Sequence, residues 1–402
     1  MHRGCVAAPL NTRLTAGELD GYVRRLRPAV VVDAPPAFEG VAPAAAEPAS
    51  GDVGALVIGT GGTTGVPKAA IFTHEALGRW TLAAIGHQHV RRTAVELSAT
   101  PFFHGFLVSG LMTTLLAGGT IRLLDRFDPE RAVEAIVDHG VTRMSAPPTM
   151  LVAMAALLAD AGRTADGLRT VLFSSSEPPA GLAERLAEAF PRVELMTGYG
   201  TTEFGPTARL YLAEETRTFP HGCVGRPIPG VDVAILREDG SRADPGEQGE
   251  VAVYTPWRMR EYLENPEETA LVSAPGERIR SGDLGVLDAE GLLHLRGRSK
   301  DVISSGGENV YPVEVEAVLG RHPAVAAIAV YGAPDPYWGE RVEAAVVPRP
   351  GASVALDELV AFGREHLAGY KLPKALRTVD ELPMTANMKV SRRALREAAA
   401  GR

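Results

Sequence analysis

Cysteine is nearly absent: Cys5 and Cys223 are the only two among 402 residues. That excludes a disulfide framework or a cysteine-ligated metal centre as the organising element. A strong excess of one charge is also lacking, with 41 Lys and Arg against 49 Asp and Glu for a net −8. This argues against broad binding to nucleic acid or to an anionic membrane surface. No apolar run reaches membrane-spanning length, and the opening MHRGCVAAPLNTR holds no continuous apolar stretch of the secretory kind. The expectation is a soluble protein in a reducing, cytoplasmic setting. Glycine and proline, by contrast, are plentiful at 43 and 30 residues, about 18% together against an average nearer 12%. With no G-X-Y period and 45% hydrophobic residues, the excess excludes collagen and disorder. It points to tight turns and to sites built from backbone.

The length allows two or three domains. Residues 34–54, APPAFEGVAPAAAEPASGDVG, lack apolar periodicity and read as an exposed connector. Ala29–Val32, just before it, reads as a short buried strand. Beyond it, strand-like runs at 55–58, 120–124, 170–173 and 193–196 alternate with helical patterns at 74–85, 129–139 and 179–189. Asp128 is a good N-cap before Pro129 at the first helical position. This alternation predicts parallel sheets covered by helices. From Val231 the texture becomes short strands at 231–236, 249–254 and 291–296 separated by turns, a β-rich subdomain. After Arg298 follow helix 312–319, strands 325–331 and 341–347, helix 355–366 and a basic tail. The fold class is therefore α/β: a large N-terminal domain over 1–297, with 226–297 β-rich, a junction at 298–300, and a small α+β C-terminal domain over 301–402.

Thr60-Gly61-Gly62-Thr63-Thr64-Gly65-Val66-Pro67-Lys68 follows directly on the 55–58 strand. Glycines let successive backbone N–H groups point inward, threonine hydroxyls add donors, and Lys68 adds a positive charge. Such a loop suits a polyphosphate better than it suits a flexible linker. It is not a Walker A loop, because Val-Pro separates Lys68 from Gly65 and Ala69 follows it. The segment resembles the signature loop of the adenylate-forming superfamily, which comprises acyl-CoA synthetases, peptide-synthetase adenylation domains and luciferases. The family's usual serine is glycine here, at Gly61.

Further segments carry the same resemblance in order. Thr197-Gly198-Tyr199-Gly200-Thr201-Thr202-Glu203 is similar to the family's Tyr-Gly-x-Thr-Glu motif, which implies Tyr199 on the adenine face, Thr202 at the α-phosphate and Glu203 on Mg²⁺. Phe173 to Pro179 stands where the family lines its adenine pocket. Ser176, Glu177 and Pro178 are carried over as nucleotide positions and Ser174 as an acyl-pocket position; the serines that replace the frequent glycines alter the acyl pocket on one reading and form a hydroxyl-rich turn on the other. Ser281-Gly282-Asp283 is similar to the motif whose Asp holds the ribose, and Arg298 is implied beside it. Lys300 matches the pivot between domains, and Gly306-Gly307 the loop that lines the thiol, or CoA, tunnel. Lys389 matches the C-terminal catalytic lysine, although Met388 replaces the common glycine. Taken singly, each has a plain structural explanation: a capped helix start for Glu203, a surface ion pair for Arg298, an ordinary turn for Asp283, a surface lysine for Lys389. Chance does not assemble them all in order from residue 60 to residue 389.

Phe103-His104-Gly105-Phe106 resembles the border of the acyl pocket. His104 contacts the carboxylate or gates the pocket on one reading, and is simply packed beside aromatics on the other. Amino-acid-activating relatives place an aspartate hereabouts, whereas this chain offers no acid until Asp125. The resemblance therefore implies an AMP-forming carboxylate–CoA ligase using ATP, Mg²⁺ and coenzyme A on an uncharged, partly apolar acid. Transfer to a carrier protein or to a nitrogen nucleophile stays open, as do a homo-oligomer and a non-catalytic nucleotide or acyl sensor. The resemblance starts near Ala7 to Asn11, well inside the usual first subdomain, so a more open or oligomer-completed acyl side is expected.

Overall fold

A computed structural model describes residues 5–32, 50–60, 67–174, 178, 181–211, 222–385 and 390–400. The strands are β1 Gly54–Thr60, β2 Lys68–Thr73, β3 Val95–Ser98, β4 Thr120–Leu123, β5 Arg143–Ala146, β6 Thr170–Phe173, β7 Glu194–Thr201, β8 Gly205–Tyr211, β9 Cys223–Pro227, β10 Asp232–Leu236, β11 Gly249–Tyr254, β12 Glu261–Tyr262, β13 Ser273–Ala274, β14 Arg278–Leu287 and β15 Leu293–Arg298. Helices in this part are α1 Ala16–Leu26, α2 His74–His87, α3 Thr113–Leu116, α4 Pro129–Asp138, α5 Pro148–Asp160, α6 Leu182–Ala189 and α7 Pro266–Val272.

Strands β3 to β7 pair in parallel in the order β4-β3-β5-β6-β7, as the alternating pattern predicts. At β7 the direction reverses, because the turn after Thr201 is too short for a crossover and returns β8 antiparallel. The sheet then continues through β9, β15, β14 and β11 to β10. The β-rich stretch at 226–297 is thus hydrogen-bonded edge to edge with the parallel half. A second sheet, β1-β2-β12, packs beside it.

Local sequence explains the elements. In α4, Asp128 accepts from the Arg131 N–H and Pro129 opens the helix. Its buried face of Ala132, Val133, Ala135 and Ile136 has helical spacing and packs with Leu97, Met144, Leu151 and Phe190. Each fully buried Leu, Ile, Met or Phe among them contributes about 1.5–3 kcal/mol. A second core joins α2 to the sheets through Phe72, Trp80, Phe204 and Trp257, with Phe72 and Trp80 edge to face.

One expected strand does not form. Residues 29–32 form no strand and pair with none of the described strands, and Val30 is 76% exposed. Strand propensity reflects fit to a half-buried pleated surface, and no described strand offers this run an edge. Conversely, α1 follows a Thr15 and Glu18 capping box, and α5 is too uniformly apolar to show a stripe.

The C-terminal part has β16 Ile303–Ser305, β17 Glu308–Val310, β18 Val325–Asp335, β19 Gly339–Pro348 and β20 Ala375–Thr378, with α8 Pro312–Leu319, α9 Leu356–Arg364 and α10 Arg392–Ala400. Its sheet runs β17-β16-β19-β18, with β20 parallel to β19, over a separate core of Ile303, Val315, Leu319, Val330 and Leu359.

Candidate active site

Strands β1, β6 and β7 end at one cleft of about 2170 Å³, where Thr60, Ser174 and Thr201 line the wall. Ligands of open α/β sheets gather at such carboxyl ends. Thr60 and Lys68 are register partners across an antiparallel hairpin, so the glycine-threonine loop joins two strands rather than a strand and a helix.

One end of the cleft is organised by Asp283, which is buried. The Tyr199 hydroxyl donates to its Oδ2 at 2.7 Å and Arg298 Nε donates to its Oδ1 at 3.0 Å. Arg298 faces Asp283 across the adjacent strands β14 and β15, whereas Tyr199 reaches it from β7, farther along the same sheet. Gly282 has φ of 71°, a conformation that favours glycine at this turn. Burial, reinforced by the Asp283 charge, pushes the Tyr199 phenol well above its ordinary range. It stays a neutral donor.

At the other end stands Glu203, in the turn between β7 and β8. Its backbone carbonyl accepts from Met259 N at 2.6 Å and its Oε1 accepts from the Tyr262 hydroxyl at 2.8 Å. Burial, then the Glu203 charge, raises the Tyr262 phenol. Lys68 pairs with Glu268 at 2.6 Å and lies 5.1 Å from the Tyr262 ring centre. The Thr201 hydroxyl is buried without a hydrogen-bond partner among the described residues. No group of three or more His, Cys, Asp or Glu able to hold a metal occurs among the described residues. A lone carboxylate beside phosphate donors does fit Mg²⁺, which usually binds through one or two carboxylates plus substrate phosphates.

A third wall is largely apolar: Trp80, Phe103, His104, Gly105, Phe106 and Leu172 line it. His104 stacks on Phe106 at 5.2 Å, and Trp80 Nε1 donates to Ser109 at 3.1 Å. A single π-helical stretch, Leu107–Met112, backs this wall, a feature common beside functional sites. Arg209 on β8 also lines the cleft and is 7% exposed. The sequence reading missed it. A lone arginine within the otherwise uncharged GPTARLY strand directly after the Tyr-Gly motif was the available signal.

The C-terminal part contributes Met384, Thr385, Val390 and Arg392 to the cleft, and Lys300 lines it at the junction. Gly306 and Gly307 are exposed and are not among the lining residues; Gly306 N instead donates to the Trp338 carbonyl at 2.8 Å. Thr197, Gly198, Gly200, Thr202 and Pro178 all line the cleft. Gly61, Gly62, Thr63, Thr64, Gly65, Ser176, Glu177 and Lys389 lie outside the described residues.

The chain belongs to the AMP-binding enzyme family, which it matches over residues 33–263, with the AMP-binding enzyme C-terminal domain matched over 314–389. Its fold is that of the adenylate-forming superfamily, a large N-terminal domain with a small C-terminal one. It is 36% identical over 412 residues to feruloyl-CoA synthase from Amycolatopsis sp., covering 96% of this chain and 82% of that one. ATP-bound MatB from Rhodopseudomonas palustris superposes with a TM-score of 0.80 at 28% identity, covering 88% of this chain and 70% of MatB. The amide bond synthetase McbA from Marinactinospora thermotolerans gives 0.77 at 33% identity, covering 86% and 69%. Among the described residues no helix is long and apolar enough to cross a membrane.

Proposed function

We propose that the chain is an ATP-dependent acid–CoA ligase, with the Tyr199–Asp283–Arg298 set as its nucleoside end. The observation that carries this reading is the placement of that set on the same cleft as Thr60, Lys68 and Glu203. One site thereby offers hydroxyl-accepting oxygens at one end and phosphate donors at the other. The likeness to feruloyl-CoA synthase supports CoA as the acceptor.

In the first half-reaction a carboxylate oxygen attacks the α-phosphorus of ATP, and the bond to the bridging oxygen breaks to release pyrophosphate. The product is an acyl-AMP. In the second, a thiolate attacks the acyl carbon and AMP leaves. Asp283 and Arg298 bind the ribose, and Thr60, Thr201, Thr202 and Lys68 donate to phosphate oxygens. Glu203 holds Mg²⁺, which neutralises phosphate charge when bound. These groups act by positioning and charge stabilisation rather than covalent chemistry. Lys389 bridges the carboxylate and the α-phosphate during adenylation. The 301–402 domain then turns about the 298–300 junction, with Lys300 as pivot, to exchange Lys389 for the Gly306-Gly307 loop. The lining of the cleft by Met384, Thr385 and Val390, but not by Gly306 or Gly307, supports an adenylation-type arrangement.

A nitrogen acceptor is the second reading, and the likeness to McbA favours it. Acid-dependent ATP–pyrophosphate exchange tests the first half-reaction, and AMP release on adding CoA or an amine decides the acceptor. Exchange without CoA-dependent AMP release would sink the CoA reading.

A further inference from the structure

We infer that the acyl end of the cleft takes an acid bearing a second, distal carboxylate, and that Arg209 holds it. This rests on the acid-activating reading above, and it replaces the uncharged acid expected from the sequence with one charged at its far end.

Positive charge outweighs negative charge in the buried cluster around Arg209. Arg209 is 7% exposed, and its Nε donates to His87 Nδ1 at 3.2 Å. No described acidic side chain pairs with its two Nη nitrogens. The charged and titratable groups around it do not supply the missing anion. Glu96, 2% exposed, is paired with Arg143, itself 3% exposed, and Arg143 Nη2 also donates to Gln88 at 2.6 Å. Glu194 is half-exposed and faces His89 at 3.7 Å. The Tyr211 hydroxyl donates to the His87 carbonyl. His87 is neutral: burial first, then the Arg209 charge, pushes it down to about 2. The buried cluster therefore contains two cations and one anion.

Arg209 nevertheless remains charged at neutral pH, because burial lowers it only to about 10. An unpaired buried cation is costly unless an opposite charge meets it. Since Arg209 lines the cleft, a ligand can supply that charge. The fork geometry fits a carboxylate, which accepts two parallel N–H bonds from guanidinium.

The surroundings place this anion away from the nucleotide. Gly198 and Arg209 face each other between β7 and β8, and a Cβ on Gly198 would lie 1.4 Å from Arg209 Nη1. Only glycine lets the guanidinium rest across the strand. Tyr199, the next residue, points to the opposite face, where it meets Asp283. Along β7, Gly198 stands three residues before Thr201, about 10 Å at strand rise. Trp80, Phe103, Phe106 and Leu172 line the same cleft. The fitting acid has an apolar middle, a ring or alkyl chain, with a carboxylate at each end.

The decisive comparison uses the whole wild-type chain and ATP–pyrophosphate exchange. Diacids from adipic to sebacic, and para-carboxyphenylpropanoic acid, are each set against the matched monoacid and the matched monoamide. The expected result is a kcat/KM for the best diacid roughly 30-fold or more above both analogues, the scale of a buried charge pair. R209M brings the diacid down to the monoacid level, while R209K keeps part of the preference. Monoacids or monoamides matching their diacids would overturn the inference and leave the ligase reading standing. A diacid preference that survives in R209M would remove Arg209 from it. No exchange with any acid would sink the ligase reading itself. The wild-type comparison decides the matter even if R209M does not fold.

Discussion

The carboxylate of Asp283 is shared between the Tyr199 phenol at 2.7 Å and Arg298 Nε at 3.0 Å, one on each oxygen. The two donors come from opposite stretches of the sheet, so the carboxylate is fixed before any nucleotide arrives. Asp283→Ala is expected to lower kcat/KM for ATP by about 30- to 100-fold, as loss of a buried charged partner does. ATP titration at saturating acid measures it, and an unchanged KM for ATP would remove Asp283 from the ribose site.

Lys389→Ala is expected to cut adenylate formation by about 10²–10³-fold, the usual cost of losing a charge aimed at a transition state. Thiolysis of supplied acyl-AMP should largely persist. Separate assays of the two half-reactions check this, and equal loss of both would contradict the two-orientation account.

Gly198→Ala tests the packing of the strand against the arginine. The added methyl would lie 1.4 Å from Arg209 Nη1. A destabilisation of about 1–3 kcal/mol is expected, as for other overpacked interiors. Thermal denaturation reads it, and R209M in the same background should relieve part of the loss.

His87 gives a pH signature. Its folded pKa is pushed down to about 2, against roughly 6.5 when unfolded. The unfolded chain therefore takes up a proton below about pH 6.5 that the folded chain refuses. Stability is complete above that pH and falls as pH drops, by up to about 1.4 kcal/mol per unit. Denaturant midpoints between pH 7 and pH 5 measure the slope, and His87→Gln should flatten it.

The parallel half of the sheet was legible because each strand and helix carries its own period and caps, as Asp128 and Pro129 do for α4. The Gly198 to Thr201 segment was less so. Its glycines suggest a turn, yet it completes β7, because pairing with β8 outweighs local propensity. Ala29–Val32 failed in the opposite direction, having propensity without a partner. At the site, Asp283, Glu203 and Lys68 were readable from motifs. Their partners Tyr262 and Glu268, like Arg209 opposite Gly198, are set by tertiary register, which no local spacing encodes.

Lys68 already carries a counterion in Glu268. A polyphosphate that engages Lys68 meets a lysine already paired with a carboxylate, so binding rearranges an existing ion pair rather than capturing a waiting charge. Glu268 sits in the first turn of α7, where its own N–H donates to the Asn265 cap Oδ1 at 3.2 Å. Its charge thus has a helix start to lean on. An anion at Lys68 thus competes with a counterion the protein already carries.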